Sequence, residues 1–297
     1  MSWFMFALIA ILFWSGSDLF SKLGSRPDDP YSHWKMVMAV GTVMGLHAFY
    51  MMATGTPFEM MDIVRYLPAS LLYIFSMILG YAGLRYIELS ISSPICNCSG
   101  AVAALLCYLL LGETMSGLQL FAVVLVTVAV FGLAVLEKQK DDALRLQEGV
   151  VIDRKYQKGV IAFVFPLLYC LLDGLGTYAD ALLLDTVIAE EQANIAYELT
   201  FLMMAVFAFL YIVCIKKAKF ELFRERPKVI AALCETAGQF AYVYALGANA
   251  IVAAPMISSY CVVSTLWSRL FLKEKLSKAQ YAVLFVAFVG IAILGME

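Results

Sequence analysis

The chain contains ten apolar runs, each close to the ~20 residues that an α-helix needs to cross a bilayer. Of its 297 residues, 63% are apolar and 15% are charged, whereas soluble domains are about half apolar and a quarter charged. The runs lack the alternation of barrel strands. The sequence therefore predicts an all-α integral membrane protein. We place its spans at about 2–22, 31–53, 66–86, 91–111, 117–136, 159–183, 192–215, 228–247, 250–271 and 278–296.

One stretch of the first half recurs in the second half at a constant offset of 161 residues. The matched pairs are Tyr81 and Tyr242, Pro94 and Pro255, Glu113 and Glu274, Ser116 and Ser277, Gln119 and Gln280. A polar segment at 137–158 separates five spans (1–136) from five more (159–297), and we interpret it as a linker. Because five is odd, the second half enters the membrane from the opposite side. The sequence thus predicts two inverted five-helix repeats, an arrangement suited to alternating access.

Loop charge predicts the orientation of the chain in the membrane. The connections after the odd-numbered spans contain 20 Lys and Arg residues, and the other side contains Arg65 alone. Positive loops remain in the cytoplasm. We therefore expect a multi-pass protein of the plasma membrane, with both termini outside and the 137–158 linker inside.

The repeated motif resembles a known transporter superfamily. Pro94, then Leu111-Gly112-Glu113 and Ser116-x-x-Gln119, is similar to the fourth and fifth spans of EamA-type drug/metabolite transporters. Pro255, Leu272-Lys273-Glu274 and Ser277-x-x-Gln280 resemble the same element in that family's second repeat, although Lys273 stands where glycine is usual. The resemblance implies ten helices and transport of a small metabolite. It also implies cytoplasmic termini, the reverse of the orientation that loop charge predicts.

Acidic residues within the apolar runs are the main candidates for a site, because an acid at the centre of a membrane helix costs roughly 2.5–3.5 kcal/mol. Asp18 is one candidate to bind substrate or a proton, and an i,i+4 ion pair with Lys22 at the interface is the alternative interpretation. Asp180 is expected to be solvated near the end of its span. The remaining acids have no evident basic partner in the membrane interior and are candidates to bind a cation or a proton. They are Asp173, Glu198 and Glu235.

Other polar and aromatic residues could complete a cavity. Gln239 follows Glu235 by one helical turn and could orient it or bind substrate. Candidate aromatic lining residues are Trp14, Tyr81, Tyr169, Tyr242 and Trp267. Pro94 and Pro255 are either first-turn prolines or sites of a local helix break. His47 is expected to be a packing or interfacial residue, and Gly41, Gly45, Gly174 and Gly176 to be close-packing or flexible points.

These features predict a secondary transporter of a small polar metabolite rather than an enzyme. The acids favour a cationic or amine-bearing substrate, with protons as a candidate coupling ion. An exporter of neutral or zwitterionic amino acids is the alternative, and a lipid-modifying enzyme or a receptor is less consistent with the residues. The sequence predicts no cofactor, no metal site and no nucleic-acid partner, and leaves monomer and homodimer open.

Overall fold

A computed structural model describes residues 2–26, 29–83, 89–148, 159–218, 222–271, 276–294 and 296. All regular structure in these residues is helical, which confirms the predicted fold class. Nine helical segments are long and apolar enough to cross a membrane within this part of the chain. The last predicted span is a shorter apolar helix of 17 residues, Lys278–Leu294.

Twelve α-helices follow one another along the described chain. They are α1 (Trp3–Gly24), α2 (Ser32–Ala53), α3 (Met60–Gly83), α4 (Leu89–Cys96), α5 (Ser99–Leu106), α6 (Gly117–Glu148), α7 (Gly159–Thr186), α8 (Glu190–Leu210), α9 (Arg226–Ala248), α10 (Ala250–Ser258), α11 (Tyr260–Phe271) and α12 (Lys278–Leu294). Helices α5 and α8 end in wider π-type turns, Cys107–Leu111 and Tyr211–Ile215. A short 3-10 turn, Leu222–Glu225, precedes α9.

The fourth and ninth spans are each broken into two helices. The breaks fall at Asn97-Cys98 and at Ser259, three and four residues after Pro94 and Pro255. At both breaks the backbone forms i→i−3 hydrogen bonds, such as Cys98 N–H to Ile95 O at 3.2 Å and Ser259 N–H to Met256 O at 3.1 Å. Of the two possibilities for these prolines, a position beside a local break is therefore the one observed.

The helices pack in pairs that join the first half of the chain to the second. Helix α1 packs on α9, α2 on α8, α3 on α7, α5 on α10 and α6 on α12. Small residues allow the closest approaches: a Cβ atom on Gly41 of α2 would lie 2.7 Å from Ala205 Cβ on α8, and one on Gly100 of α5 would lie 2.6 Å from Ala254 O on α10. Gly41 therefore has the close-packing role that the sequence predicts.

The Ser-x-x-Gln motif of each half is a capping box at the start of a helix. Ser116 N–H donates to Gln119 Oε1 at 2.9 Å, and Gln119 N–H donates to Ser116 Oγ at 3.1 Å. Ser277 and Gln280 form the same pair of bonds at 2.6 and 3.2 Å before α12. Each pair supplies partners to backbone donors that have none within the helix. The repeated motif thus has a structural reason that applies equally in both halves.

Glu113 connects the two halves at the end of the fourth span. Its Oε2 accepts the backbone N–H of Ile251 at 3.1 Å, in the first turn of α10. A carboxylate is favourable at a helix N-terminus because it meets unpaired N–H groups and the positive end of the helix dipole. Glu113 thus caps the N-terminus of α10. Its counterpart Glu274 lies outside the described residues.

The first part of the predicted linker is helical. Helix α6 continues through residues 137–148 and ends at Glu148. This part of the chain is rich in strong helix formers (Leu, Lys, Gln, Glu and Ala) and contains neither Gly nor Pro, so the helix can extend beyond its apolar part. Residues 149–158 lie outside the described residues.

An ionic cluster joins the loop after α1 to the start of α9. Lys35 Nζ lies 2.5 Å from Asp29 Oδ2 and 3.4 Å from Glu225 Oε1, and Lys228 also pairs with Glu225. Burial raises the pKa of the Asp29 carboxyl, but hydrogen bonds from Lys35 and Tyr31 N–H and the nearby positive charges outweigh it and hold that pKa below its usual value. Asp29 therefore stabilises the folded state in its ionised form.

Acid should remove this stabilisation. Because the pKa of Asp29 is lower in the folded protein, its contribution is complete above the unfolded value of about 4 and is lost as the pH falls from there through the folded pKa. We expect Asp29→Asn to be less stable than the parent at pH 7, and the difference to shrink as the pH falls below about 4. Thermal unfolding in detergent at several pH values measures both. A pH-independent difference would contradict the assignment.

Candidate functional site

A cavity of about 110 Å³ lies between the two halves of the chain. It is large enough for several water molecules, since one needs roughly 10–15 Å³ by this kind of measure. Helices α1, α3, α4 and α5 of the first half contribute to its wall, as do α7 to α11 of the second. The breaks of the fourth and ninth spans adjoin it through Asn97 and Ser258. The cavity is therefore built at the place where the helices are interrupted.

Three of the candidate acids line this cavity. They are Asp18 on α1, Asp173 on α7 and Glu235 on α9. Asp18 Oδ2 accepts a hydrogen bond from Ser93 Oγ at 2.7 Å, and Asp173 Oδ2 accepts one from Ser99 Oγ at 2.7 Å. Asp18 thus faces the cavity and not only the interface at which its sequence spacing from Lys22 would place it. Among the described lining residues there is no Lys, Arg or His.

Aromatic residues form much of the remaining wall. Trp14, Tyr81, Tyr169 and Tyr242 line the cavity. The ring of Trp14 lies 4.9 Å from that of Tyr242 and 5.8 Å from that of Tyr260. Such rings offer both hydrophobic surface and a negative π face that attracts cations. The wall therefore combines carboxylates with aromatic rings.

Three polar groups on this wall have no hydrogen-bond partner among the described residues. They are Trp14 Nε1, Tyr81 OH and Gln239 Nε2, all buried. Gln239 is only 4% exposed and follows Glu235 by four residues on α9. Trp14 Nε1 lies close to the backbone of Gly238, where a Cβ atom would be 2.7 Å from it. Two of the unpaired groups, those of Gln239 and Trp14, therefore lie within about one helical turn of Glu235.

Glu198 lies outside the cavity and has a basic partner. His47 Nδ1 lies 2.7 Å from Glu198 Oε1 and 3.0 Å from Oε2, across the contact between α2 and α8. The expectation that Glu198 has no basic partner was wrong. The 151 residues between them conceal the pair in the sequence, whereas the packing of α2 on α8 brings the side chains together.

Asp180 is buried rather than solvated, contrary to the sequence-based expectation. It has no solvent exposure, and it accepts hydrogen bonds from Tyr66 OH at 2.5 Å and Tyr73 OH at 3.3 Å. Tyr73 OH in turn lies 2.6 Å from Tyr242 OH, and Tyr242 OH lies 3.1 Å from Thr177 Oγ1. Distance from the helix end could not reveal these tyrosine partners. Asp180 thus anchors a polar network that reaches the cavity wall.

The remaining candidates lie beside the cavity rather than on its wall. Trp267 donates its Nε1–H to Ser15 Oγ at 2.9 Å and so ties α11 to α1. Pro94 and Pro255 lie within α4 and α10, just before the breaks. Two serines that donate hydrogen bonds to the acids were not among the predicted site residues; they are Ser93 and Ser99. The available signal was the group of small polar residues around Pro94, since such residues form hydrogen bonds between membrane helices.

The described residues contain no group of three or more His, Cys, Asp or Glu side chains that could hold a metal ion. The arrangement instead suits a solute bound by carboxylates, aromatic faces and hydrogen-bond donors. The free cysteines in this part of the chain are mostly buried, as small apolar side chains are.

Comparison with known proteins supports the fold and places the chain in a family. No curated protein matches the chain. Solved structures are similar, and one described only as "Crystal structure of protein" covers 99% of this chain and 98% of its own, with a TM-score of 0.69 and 15% identity. At that identity the likeness shows the fold alone. The model of the EamA-like transporter family matches residues 1–135 and 188–296. The chain therefore belongs to the EamA-like transporter family of the drug/metabolite transporter superfamily and is a multi-pass membrane transporter.

Proposed function

We propose that the protein is a secondary transporter of a small organic cation that bears an amine. The observation that carries the proposal is the presence of Asp18, Asp173 and Glu235 in one cavity, with no basic residue among the described lining residues. Unpaired carboxylates in a membrane interior are costly. A bound ammonium group would lower that cost, because a charge-assisted hydrogen bond is roughly twice as strong as a neutral one.

The aromatic wall supports the same class of substrate. Trp14 and Tyr242 pack against each other in the same cavity as the acids, and the faces of such rings attract an ammonium or alkylammonium group. A zwitterionic amino acid fits less well, because its carboxylate would face three acids without a basic partner among the described residues. A neutral or zwitterionic substrate is the alternative, and the transport assay described below distinguishes it from an organic cation.

Alternating access between inverted repeats is the proposed mechanism. Two observations support it. If span n corresponds to span n+5, each of the main helix pairs maps onto itself or onto another observed pair. The capping boxes at Ser116 and Ser277 also have equivalent geometry. We propose the orientation that loop charge predicts, with both termini outside and the linker inside at the plasma membrane.

Transport assays with matched solutes test the proposed substrate class. The purified protein in liposomes would be supplied with labelled ethanolamine, glycinamide, propylamine, glycine or acetate. We expect uptake of at least one ammonium solute, driven by its own gradient, to exceed that of glycine and acetate. Uptake of glycine alone would support the alternative, and failure of every ammonium solute to bind or cross would overturn the proposal.

We further propose that His47 and Glu198 carry a proton that is coupled to transport. Their side chains form a hydrogen-bonded pair across α2 and α8, one helix from each half, which is an ion pair when His47 is protonated and Glu198 is ionised; His47 is 27% exposed while Glu198 is fully buried. Phe240 packs on His47 at 5.5 Å, and Tyr197 neighbours Glu198 with its hydroxyl directed to Met77 Sδ. Protonation of Glu198 would break the ion pair and alter the contact between halves.

The pH dependence of transport tests this coupling. Glu198→Gln mimics the protonated acid, so we expect the variant to transport with a much flatter response to pH between 5 and 8. Glu191→Gln, at an exposed position in the first turn of the same helix, is the matched control and should keep the parental profile. An unchanged profile in Glu198→Gln would contradict the role of the pair, while leaving the cavity assignment intact.

A further inference from the structure

We infer that Gln239, Trp14 and Tyr81 form a hydrogen-bonding subsite that selects ammonium substrates carrying a second, neutral hydrogen-bond acceptor, such as an amino alcohol or an amino amide. The inference deepens the proposed function and rests on it. It names a specificity that the three carboxylates alone do not supply.

Three polar groups in the cavity are buried without a hydrogen-bond partner among the described residues. They are Trp14 Nε1, Tyr81 OH and Gln239 Nε2. A buried donor without a partner costs about 1–3 kcal/mol, so such groups are normally paired with protein, water or ligand. All three belong to residues that line the cavity. A solute in the cavity must therefore replace any water bonded to them or leave them unpaired.

The three groups are mainly hydrogen-bond donors. An indole N–H can only donate, an amide NH₂ group can only donate, and a tyrosine hydroxyl can do both. A solute group facing them has to accept hydrogen bonds. Assigning the opposite orientation to the Gln239 amide would place an acceptor there instead, but the indole of Trp14 would still require an acceptor. The subsite is thus complementary to oxygen, not to a second ammonium group.

Two of these donors lie close to Glu235 on α9. Gln239 lies one helical turn after Glu235, and the indole N–H of Trp14 lies against the backbone of Gly238. An ammonium group held by Glu235 would therefore lie about one helical turn from Gln239 and Trp14, with Tyr81 on the wall of the same cavity. A carboxylate in that place would also lie near the acids, without a basic residue in the described wall. A neutral hydroxyl or amide oxygen satisfies the donors without this repulsion.

A pair of solutes that differ only at the acceptor tests the inference. Ethanolamine and propylamine have the same number of heavy atoms and the same ammonium group, but only ethanolamine carries an oxygen. We expect the parent protein to bind ethanolamine and glycinamide about three- to tenfold more tightly than propylamine, the difference that one or two neutral hydrogen bonds provide. Competition against labelled ethanolamine in nanodiscs measures all three.

Variants that remove the donors should abolish this preference. In Gln239→Leu and Trp14→Phe, ethanolamine should lose three- to tenfold in affinity while propylamine changes little. Gln192→Leu and Trp34→Phe, at positions away from the cavity, are the matched controls and should keep the preference. Equal binding of ethanolamine and propylamine by the parent, or an equal loss for both in the donor variants, would overturn the inference alone. Failure of all three amines to bind would instead overturn the proposed function.

Discussion

Replacing Glu235 by Gln is expected to weaken binding of ethanolamine by about 5- to 15-fold at pH 7. The substitution keeps the size of the side chain but exchanges a charge-assisted interaction, worth about 1.5–3 kcal/mol, for a neutral one. Glu235 reaches the cavity beside Trp14 and Gln239. Asp173→Asn should behave similarly, although its carboxylate also holds Ser99 and its loss affects the wall more widely.

Folding of the Glu235→Gln variant is measured separately from its affinity for ethanolamine. Thermal unfolding without solute should show Glu235→Gln to be at least as stable as the parent, because a buried carboxylate without a basic partner is itself unfavourable. Glu191→Gln controls for the loss of one negative charge at an exposed position. Unchanged ethanolamine affinity in both Glu235→Gln and Asp173→Asn would refute the cavity as the binding site of the ammonium group.

Replacing Gly41 by Ala should produce the largest loss of stability among the small substitutions considered. A Cβ atom at this position would lie 2.7 Å from Ala205 Cβ and even closer to the backbone oxygen of Phe201. Backbone cannot move aside as a flexible side chain can, so α2 and α8 would have to separate. Overpacking of this kind costs about 1–3 kcal/mol, and a rigid backbone contact favours the upper end.

Gly117 provides the matched control. A Cβ atom there meets nothing within 4 Å, so Gly117→Ala should leave the unfolding temperature nearly unchanged. The distance between α2 and α8 also sets the His47–Glu198 pair, and Gly41→Ala should therefore alter the pH dependence of transport in any molecules that fold. An unfolding temperature equal to that of the control would show that the helices are less closely packed than described.

The membrane fold could be predicted from the sequence because bilayer thickness imposes a length on every span. Each of the ten predicted spans corresponds to a helix or a pair of helices in the described chain. The breaks after Pro94 and Pro255 were harder to locate. A proline weakens the hydrogen bonds of the preceding turn, but the break itself occurs three or four residues later, where packing and side-chain bonds decide.

The cavity could be predicted only in part. Depth along a span identified Asp173, Glu198 and Glu235 as candidates, but it wrongly predicted Asp180 to be solvated. It cannot show which partner a helix on the other half presents. Hence Glu198 meets His47 and Asp180 meets Tyr66, pairs separated by 151 and 114 residues. Such contacts follow from the way the halves interlock rather than from any local pattern.

The bonds from Asp18 to Ser93 and from Asp173 to Ser99 have a thermodynamic consequence. The two serines lie on opposite sides of the Asn97-Cys98 break. An ionised carboxylate can accept hydrogen bonds from several donors, so an ammonium solute bound to Asp18 or Asp173 would share the carboxylate with the serine. Binding of a solute in the cavity is therefore thermodynamically linked to the bend of the fourth span, which is the angle between α4 and α5. If a bound solute stabilises one bend of the fourth span by a given free energy, that bend increases the affinity for the solute by the same free energy.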